Sequence, residues 1–303
     1  MTGDNETKIT EAARTSVSGT MDVRLRQISD ALIRHLHAFI REVEPTQTEW
    51  EEGVNFLTKT GQMCSDTRQE FILLSDVLGA SMLVDSINHR QAGGATESTV
   101  FGPFYRPTQE MPNGANISGA FFGTPMFVSG RVRDTGGNPV AGAVVDVWHA
   151  DDQGFYDAQK DQLYERDSGR GWFKTDEDGC FRFWTTRPSS YPIPADGPVG
   201  KMLKVQGRHP FRPEHIHFMV QASGFRKLVT HIFARGDRYL DSDVVFGVKD
   251  SLVCDFVTYC GGAAPDGKQM AGEWAYLAYE FVVAPEKADA GATNGIAAFG
   301  GAR

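Results

Sequence analysis

His215 and His217, separated by Ile216, offer two imidazole nitrogens to whatever surface they share. They open residues 215–221, a run rich in β-branched and aromatic side chains that predicts a strand. Side chains alternate across a strand, so both rings fall on one face. Such a pair reads either as hydrogen-bonded surface histidines or as adjacent donors to a metal ion. His35 and His37 have the same spacing, but they lie in a helical pattern where residues two apart point in nearly opposite directions, so they receive no metal role. His89 and His149 have no partner at ligand spacing and read as structural. Tyr156 or Tyr191, each taken alone, reads as a core residue with its hydroxyl satisfied.

The surroundings of the pair shift this balance. Tyr, Arg and His accumulate in the turn-rich stretches Tyr191-Pro192-Ile193-Pro194 and Gly207-Arg208-His209-Pro210-Phe211-Arg212-Pro213-Glu214 just upstream. No cysteine or carboxylate stands near His215 and His217 in a zinc-ligand arrangement.

With Gly102-Pro103-Phe104-Tyr105, Val147-Trp148-His149-Ala150-Asp151, Gly154-Phe155-Tyr156 and Arg212-Pro213-Glu214-His215-Ile216-His217, these motifs appear in the order found in intradiol aromatic-ring dioxygenases, and the chain resembles that family. The resemblance runs from the first amphipathic helix to the last strand. It implies one mononuclear non-haem Fe(III) per chain, with Tyr156 and Tyr191 as phenolate ligands and His215 and His217 as imidazole ligands. A free tyrosine titrates near ~10, so two phenolates at neutral pH require a strong local cation, and ferric iron is one. By the same resemblance Tyr191 is the labile ligand that leaves and takes a proton from the diol, and Arg212 stabilises negative charge on the bound substrate. One component is less specific: residues 128–148 are typical of many non-catalytic β-sandwich modules, so a metal-free binding module is the alternative of another class.

The resemblance also supplies a substrate. Leu73, Asp76, Val100, Phe101, Phe104, Ile193, Val244 and Val245 match the family's pocket positions. Asp76, among Leu73, Leu74, Val77 and Leu78, can accept a hydrogen bond from a third ring hydroxyl that catechol lacks; its bland reading is a solvent-facing or capping carboxylate. Gln69 to Asp76 together with Val100 to Phe104 look most like the branch that cleaves hydroxyquinol to 3-hydroxy-cis,cis-muconate, the tautomer of maleylacetate, a step in aromatic catabolism. Catechol and chlorocatechol are the alternative substrates. His231 stands where catechol-cleaving relatives often carry glutamine, which leaves open a hydrogen bond near the iron or a competing ligand role.

The elements that must hold these residues divide the chain. Val23, Leu25, Ile28, Leu32, Leu36, Phe39 and Ile40 recur at helical spacing over residues 21–43. Thr48 with Glu51, and Thr67 with Glu70, form capping-box pairs predicting a second helix and a third running through the apolar residues 71–87 and buried on several sides. From Met126 the texture turns to short strands, 127–132, 143–148, 180–185, 215–221, 228–233 and 274–283, separated by Gly, Pro, Asn and Asp. Helices followed by strands predict an α+β chain, a mainly antiparallel β-sandwich with an N-terminal helical module. The expected divisions are a polar segment 1–20, a helical linker and dimerisation module 21–105, a catalytic sandwich 106–286 and an Ala/Gly-rich loose tail 287–303. The resemblance implies a homodimer through the N-terminal helices, with a lipid enclosed there; the apolar faces fit that or intramolecular packing.

Composition narrows the rest. The 303 residues carry a formal net charge of −9, which argues against nucleic acid as a partner. No apolar run reaches the ~20 residues of a membrane span. The first twenty residues lack an export signal and the four cysteines lack CxxC spacing, so a cytoplasmic, reduced setting is expected.

Overall fold

The computed structural model describes residues 2–65, 68–90, 93–160, 164 and 167–286. Two units are distinguished among the described residues, with 2–58 in one and 59–286 in the other. The first unit holds α1 (Thr2–Ser16), a helix within the segment read only as polar, and α2 (Val23–Val43), which starts where Asp22 accepts a hydrogen bond from the Leu25 amide. Polar contacts join them: Arg14 pairs with Asp30 at 2.7 Å, and the Thr10 hydroxyl lies 3.0 Å from His37 Nδ1. No residue of α2 is buried, and Leu32, Leu36, Phe39 and Ile40 stay exposed along its apolar face.

Two helix expectations need correction. α3 (Gln47–Gln62) is capped two residues earlier than predicted: the Thr46 amide donates to Glu49 Oε2 at 2.8 Å and the Glu49 amide to Thr46 Oγ1 at 3.3 Å. Thr46 and Glu49 have the same capping-box spacing as Thr48 and Glu51, and the earlier pair sits where the chain leaves Pro45. The single third helix is two, α4 (Glu70–Val77) and α5 (Ala80–Asn88), because Gly79 takes φ +74 and ends the first. Its proposed cap Thr67 lies outside the described residues, and Gln69 stands at the N-cap without a side-chain bond. Nor is this stretch buried on several sides: Phe71, Ile72, Leu78, Leu83, Val84 and Ile87 are about half exposed.

The strands form two packed sheets. β1 (Pro125–Asp134), β4 (Cys180–Thr186), β10 (Val257–Ala263) and β11 (Gln269–Val283) make a four-stranded sheet in the order β10-β11-β1-β4. β2 (Val144–Trp148), β3 (Arg170–Lys174), β7 (His215–Gln221), β8 (Leu228–Ala234) and β9 (Val253–Cys254) make the other, ordered β3-β2-β7-β8-β9. β5 (Tyr191–Pro192) and β6 (Phe211–Arg212) form a short ribbon, and α6 (Pro198–Val205) lies between them in the chain. Most pairings are antiparallel, but β1 runs parallel to β11 and β8 parallel to β9.

Period-two alternation assigns each face. On β7, Ile216, Phe218 and Val220 enter the core between the sheets, where Phe218 meets Phe281 at 4.8 Å and Phe173 stacks on Phe183 at 5.0 Å. His215, His217 and Met219 therefore project from the other face, and they too are buried, under the loops that carry the remaining candidate residues. The tail expected over 287–303 lies outside the described residues.

Candidate metal centre

Three separate segments converge over the outer face of β7. A turn over residues 151–156 delivers Tyr156: Asp151 Oδ1 accepts from the amides of Gln153 and Phe155 at 2.9 and 2.7 Å, and Gly154 has φ +85. Tyr191 opens β5 and pairs in register with Arg212 on β6, so the ribbon presents phenol and guanidinium together. A Cβ on Gly154 would lie 2.3 Å from the Tyr191 Cβ. Gly154→Ala is therefore expected to destabilise the fold by about 2–5 kcal/mol through left-handed backbone strain and overpacking, read as a lower urea midpoint; an unchanged midpoint would remove this contact from the account.

The four candidate ligand atoms lie close together. The Tyr156 and Tyr191 hydroxyl oxygens are 3.3 Å apart, Tyr156 Oη is 2.9 Å from His217 Nε2, and the Nε2 atoms of His215 and His217 are 3.3 Å apart. Donors bonded to one ion at about 2.0–2.2 Å and separated by about 90–110° lie roughly 2.8–3.6 Å from one another, so these spacings fit a single metal ion. His215 Nδ1 is 2.6 Å from the Pro213 carbonyl, which only accepts, so Nδ1 carries the proton and Nε2 keeps its lone pair for a metal. Burial holds the His215 and His217 rings well below the usual histidine range, which keeps them neutral donors. Burial and the neighbouring Tyr191 push the Tyr156 phenol well above its ordinary value, so a strong local cation is needed to hold it as phenolate.

Arg212 is buried beside this cluster. Its Nη1 lies 3.3 Å from His215 Nε2, and Asp243 pairs with its Nε and Nη2 at 3.2 and 3.4 Å. Burial works against the guanidinium charge, but Asp243 and the two tyrosines outweigh it and hold Arg212 above the ordinary arginine value. Asp243 is itself fixed by the Val245 and Gly247 amides. Two aromatic walls enclose the donors: Trp148, paired with His217 across β2 and β7, stacks on it at 4.6 Å, and Phe104 stacks on Tyr156 at 4.5 Å. The Phe104 carbonyl accepts from Arg170, which forms a buried ion pair with Asp157.

The remaining sequence-predicted positions fall on four segments. Asp76 is buried on α4; burial pushes its carboxyl up, while a hydrogen bond from Ser81 and, to a lesser extent, the Arg212 charge pull it down. Leu73 is half-buried one turn earlier. Val100 is buried, and Phe101 is 39% exposed, packed against Tyr105 and Trp148. Ile193 is buried just after Tyr191, and Val244 and Val245 just after Asp243. Arg208 donates to the carbonyls of Val77 and Val244 at 2.8 and 3.1 Å, tying α4 to that last segment. His89 pairs with Asp85, and His149 is buried with Nδ1 bonded to the Ala150 carbonyl and Nε2 2.6 Å from the Thr185 hydroxyl; burial lowers its pKa to about 4.

Sequence reasoning missed Asp243, the stacking role of Trp148 and the Arg170–Asp157 pair. Asp243 left a signal as an acidic residue directly before two apolar positions already singled out, and Trp148 stood in the Val147–Asp151 motif without its stacking being foreseen.

Comparison with known proteins shows similarity over most of the chain. The family description "Dioxygenase" matches residues 100–285, and "Catechol dioxygenase N terminus" matches residues 22–96. A hydroxyquinol 1,2-dioxygenase of Nocardioides simplex is 50% identical over 92% of this chain and 96% of its own. A catechol 1,2-dioxygenase of Candida albicans is 39% identical over 82% of this chain and 83% of its own. The crystal structure of hydroxyquinol 1,2-dioxygenase from Pseudomonas putida DLL-E4 superposes with a TM-score of 0.88 at 48% identity, covering 94% of this chain and 100% of that one.

Proposed function

The chain belongs to the intradiol ring-cleavage dioxygenase family, and from that premise we propose that it cleaves hydroxyquinol with dioxygen to 3-hydroxy-cis,cis-muconate, the tautomer of maleylacetate. The convergence of Tyr156, Tyr191, His215 and His217 at metal-ligand spacing carries this reading. A ferric ion held by Tyr156, Tyr191, His215 and His217 would supply Lewis-acid chemistry that activates an ortho-diol toward dioxygen. Both atoms of dioxygen enter the ring-opened dicarboxylate.

The protein's own groups do the rest. Tyr191, at the ribbon edge, would start as the phenolate, take a proton from the incoming diol at its Oη and become the neutral phenol. Arg212, held by Asp243, presents a fixed positive charge to negative charge developing on the substrate, in a site kept from water by Trp148, Phe104 and the residues after Asp243. Leu73, Val100, Phe101, Ile193, Val244 and Val245 form the apolar walls around the ring, and Phe104 backs Tyr156.

Asp76 selects the trihydroxylated ring by accepting a hydrogen bond from its third hydroxyl. Asp76→Ala is expected to lower kcat/KM for hydroxyquinol by about 10-fold or more while catechol changes by less than about 3-fold, because only the former loses a buried polar partner. Steady-state rates on both substrates test this, and equal losses would remove Asp76 from the selectivity argument. The substrate itself is tested by the same rates on the unaltered protein: maleylacetate formation from hydroxyquinol faster than muconate formation from catechol supports the reading, and the reverse order favours a catechol enzyme.

Two wider features belong to this proposal. The exposed apolar face of α2 supports a homodimer through the N-terminal helices, with a lipid as a further occupant of that face. Among the described residues no helix is long and apolar enough to cross a membrane, and all four cysteines are unpaired, which supports a reducing, cytoplasmic setting.

A further inference from the structure

We propose that His231 completes, with His215 and His217, a three-imidazole site for a borderline divalent cation such as Zn(II) or Co(II), a second coordination mode that uses neither tyrosine. It shares His215 and His217 with the reading above and is independent of Tyr156 and Tyr191. β8 places His231 directly opposite His217 on the same buried face, with its ring 4.1 Å from His217 and 4.9 Å from His215. One ring nitrogen from each of the three lies within 4.8 Å of the others, and all three residues are at most 2% exposed.

The two nitrogens of His231 are unlike. Nδ1 is hydrogen-bonded to the Thr99 hydroxyl, while Nε2 is buried without a hydrogen-bond partner. An imidazole with one nitrogen oriented by a hydrogen bond and the other open is the usual arrangement of a metal ligand. His215, with Nδ1 on the Pro213 carbonyl, has the same arrangement. Bringing the three nitrogens to about 2.0–2.1 Å from one ion requires a movement on the order of 1 Å, available to rings on neighbouring strands. Three neutral imidazoles suit zinc and cobalt, whereas the tyrosine oxygens suit a hard ferric ion. The same pocket therefore offers two overlapping donor sets, and a bound divalent ion excludes the ferric one.

The test is a Co(II) titration of the full-length, metal-stripped chain, followed by visible d–d absorption. His231→Gln is expected to weaken Co(II) binding at least about 10-fold while Fe(III) reconstitution still gives the tyrosinate absorbance. The Tyr156→Phe/Tyr191→Phe double variant is expected to show the opposite, with Co(II) affinity within about 3-fold of the unaltered chain and no ferric tyrosinate absorbance. Unchanged Co(II) affinity in His231→Gln, or its loss in the double variant, overturns the proposal. X-ray absorption of the Zn(II)-loaded unaltered chain gives a reading that no variant's folding can confuse: three imidazoles per zinc support the site, and two contradict it. Failure of the unaltered chain to develop ferric tyrosinate absorbance counts against the dioxygenase reading alone and leaves the cobalt result standing.

Discussion

Tyr156→Phe is expected to lower the affinity for ferric iron by about 100-fold or more, alter the visible absorbance of the iron-loaded protein and cut turnover by about 1,000-fold. The substitution removes one oxygen and little else. The ring stays buried against Phe104, so packing is preserved and loss of the anionic donor is isolated from loss of fold. Without metal the lost hydroxyl takes with it the contacts to His217 Nε2 and the Tyr191 hydroxyl, so the metal-free variant should be about 1–2 kcal/mol less stable than the metal-free parent but still folded. Iron content, the visible spectrum and kcat with hydroxyquinol are the measurements. A variant with full iron and turnover within about 3-fold of the parent would show that Tyr156 is not a ligand.

Arg212→Ala tests charge stabilisation separately from metal binding. The guanidinium is expected to account for about 100–1,000-fold in kcat, the usual size of a preorganised charge aimed at a developing anion. The substitution also leaves Asp243 buried without its cation, at a cost of about 3–5 kcal/mol in stability. The double variant Arg212→Ala/Asp243→Asn separates the two effects. The amide side chain it introduces carries no charge and keeps one acceptor oxygen for the Gly247 amide, while the longer contact from the Val245 amide is lost. Stability should largely return while kcat stays low, and the visible absorbance of bound iron should survive in both variants. Recovery of rate together with stability would make Arg212 a packing residue only.

The parts legible in the sequence were those decided by local periodicity. Alternation over β7 assigned His215 and His217 to one face, and the structure has both rings on the face opposite Ile216, Phe218 and Val220. The helical repeat of α2 and the turn signals between strands likewise located their elements. What escaped depends on pairing between distant segments. The parallel partnership of β1 with β11 joins residues near 130 to residues near 280, a link no window of sequence contains. Trp148 and His231 flank His217 only because β2 and β8 pair with β7 in that register. β3 was hidden by Arg170 and Gly171, since its arginine is buried through Asp157 rather than by apolarity. The division between α4 and α5 turned on Gly79, one residue in an apolar run whose missing Cβ lets it take a positive φ and lets Phe246 pack close against it. α6 went unseen because its eight residues, Pro198 to Val205, look like loop after Gly197, although proline at the first helical position was a usable signal.

The central claim, a ferric centre on two tyrosinates and two imidazoles acting on a diol, is tested most directly by the visible spectrum of the purified, iron-quantified protein. The account predicts a broad tyrosinate-to-iron absorbance with one iron per chain, a shift on anaerobic addition of hydroxyquinol, and maleylacetate on admitting oxygen. A protein that remains colourless after reconstitution with ferric iron, and whose spectrum responds to no diol, would contradict it and leave the fold as a metal-free β-sandwich binding module.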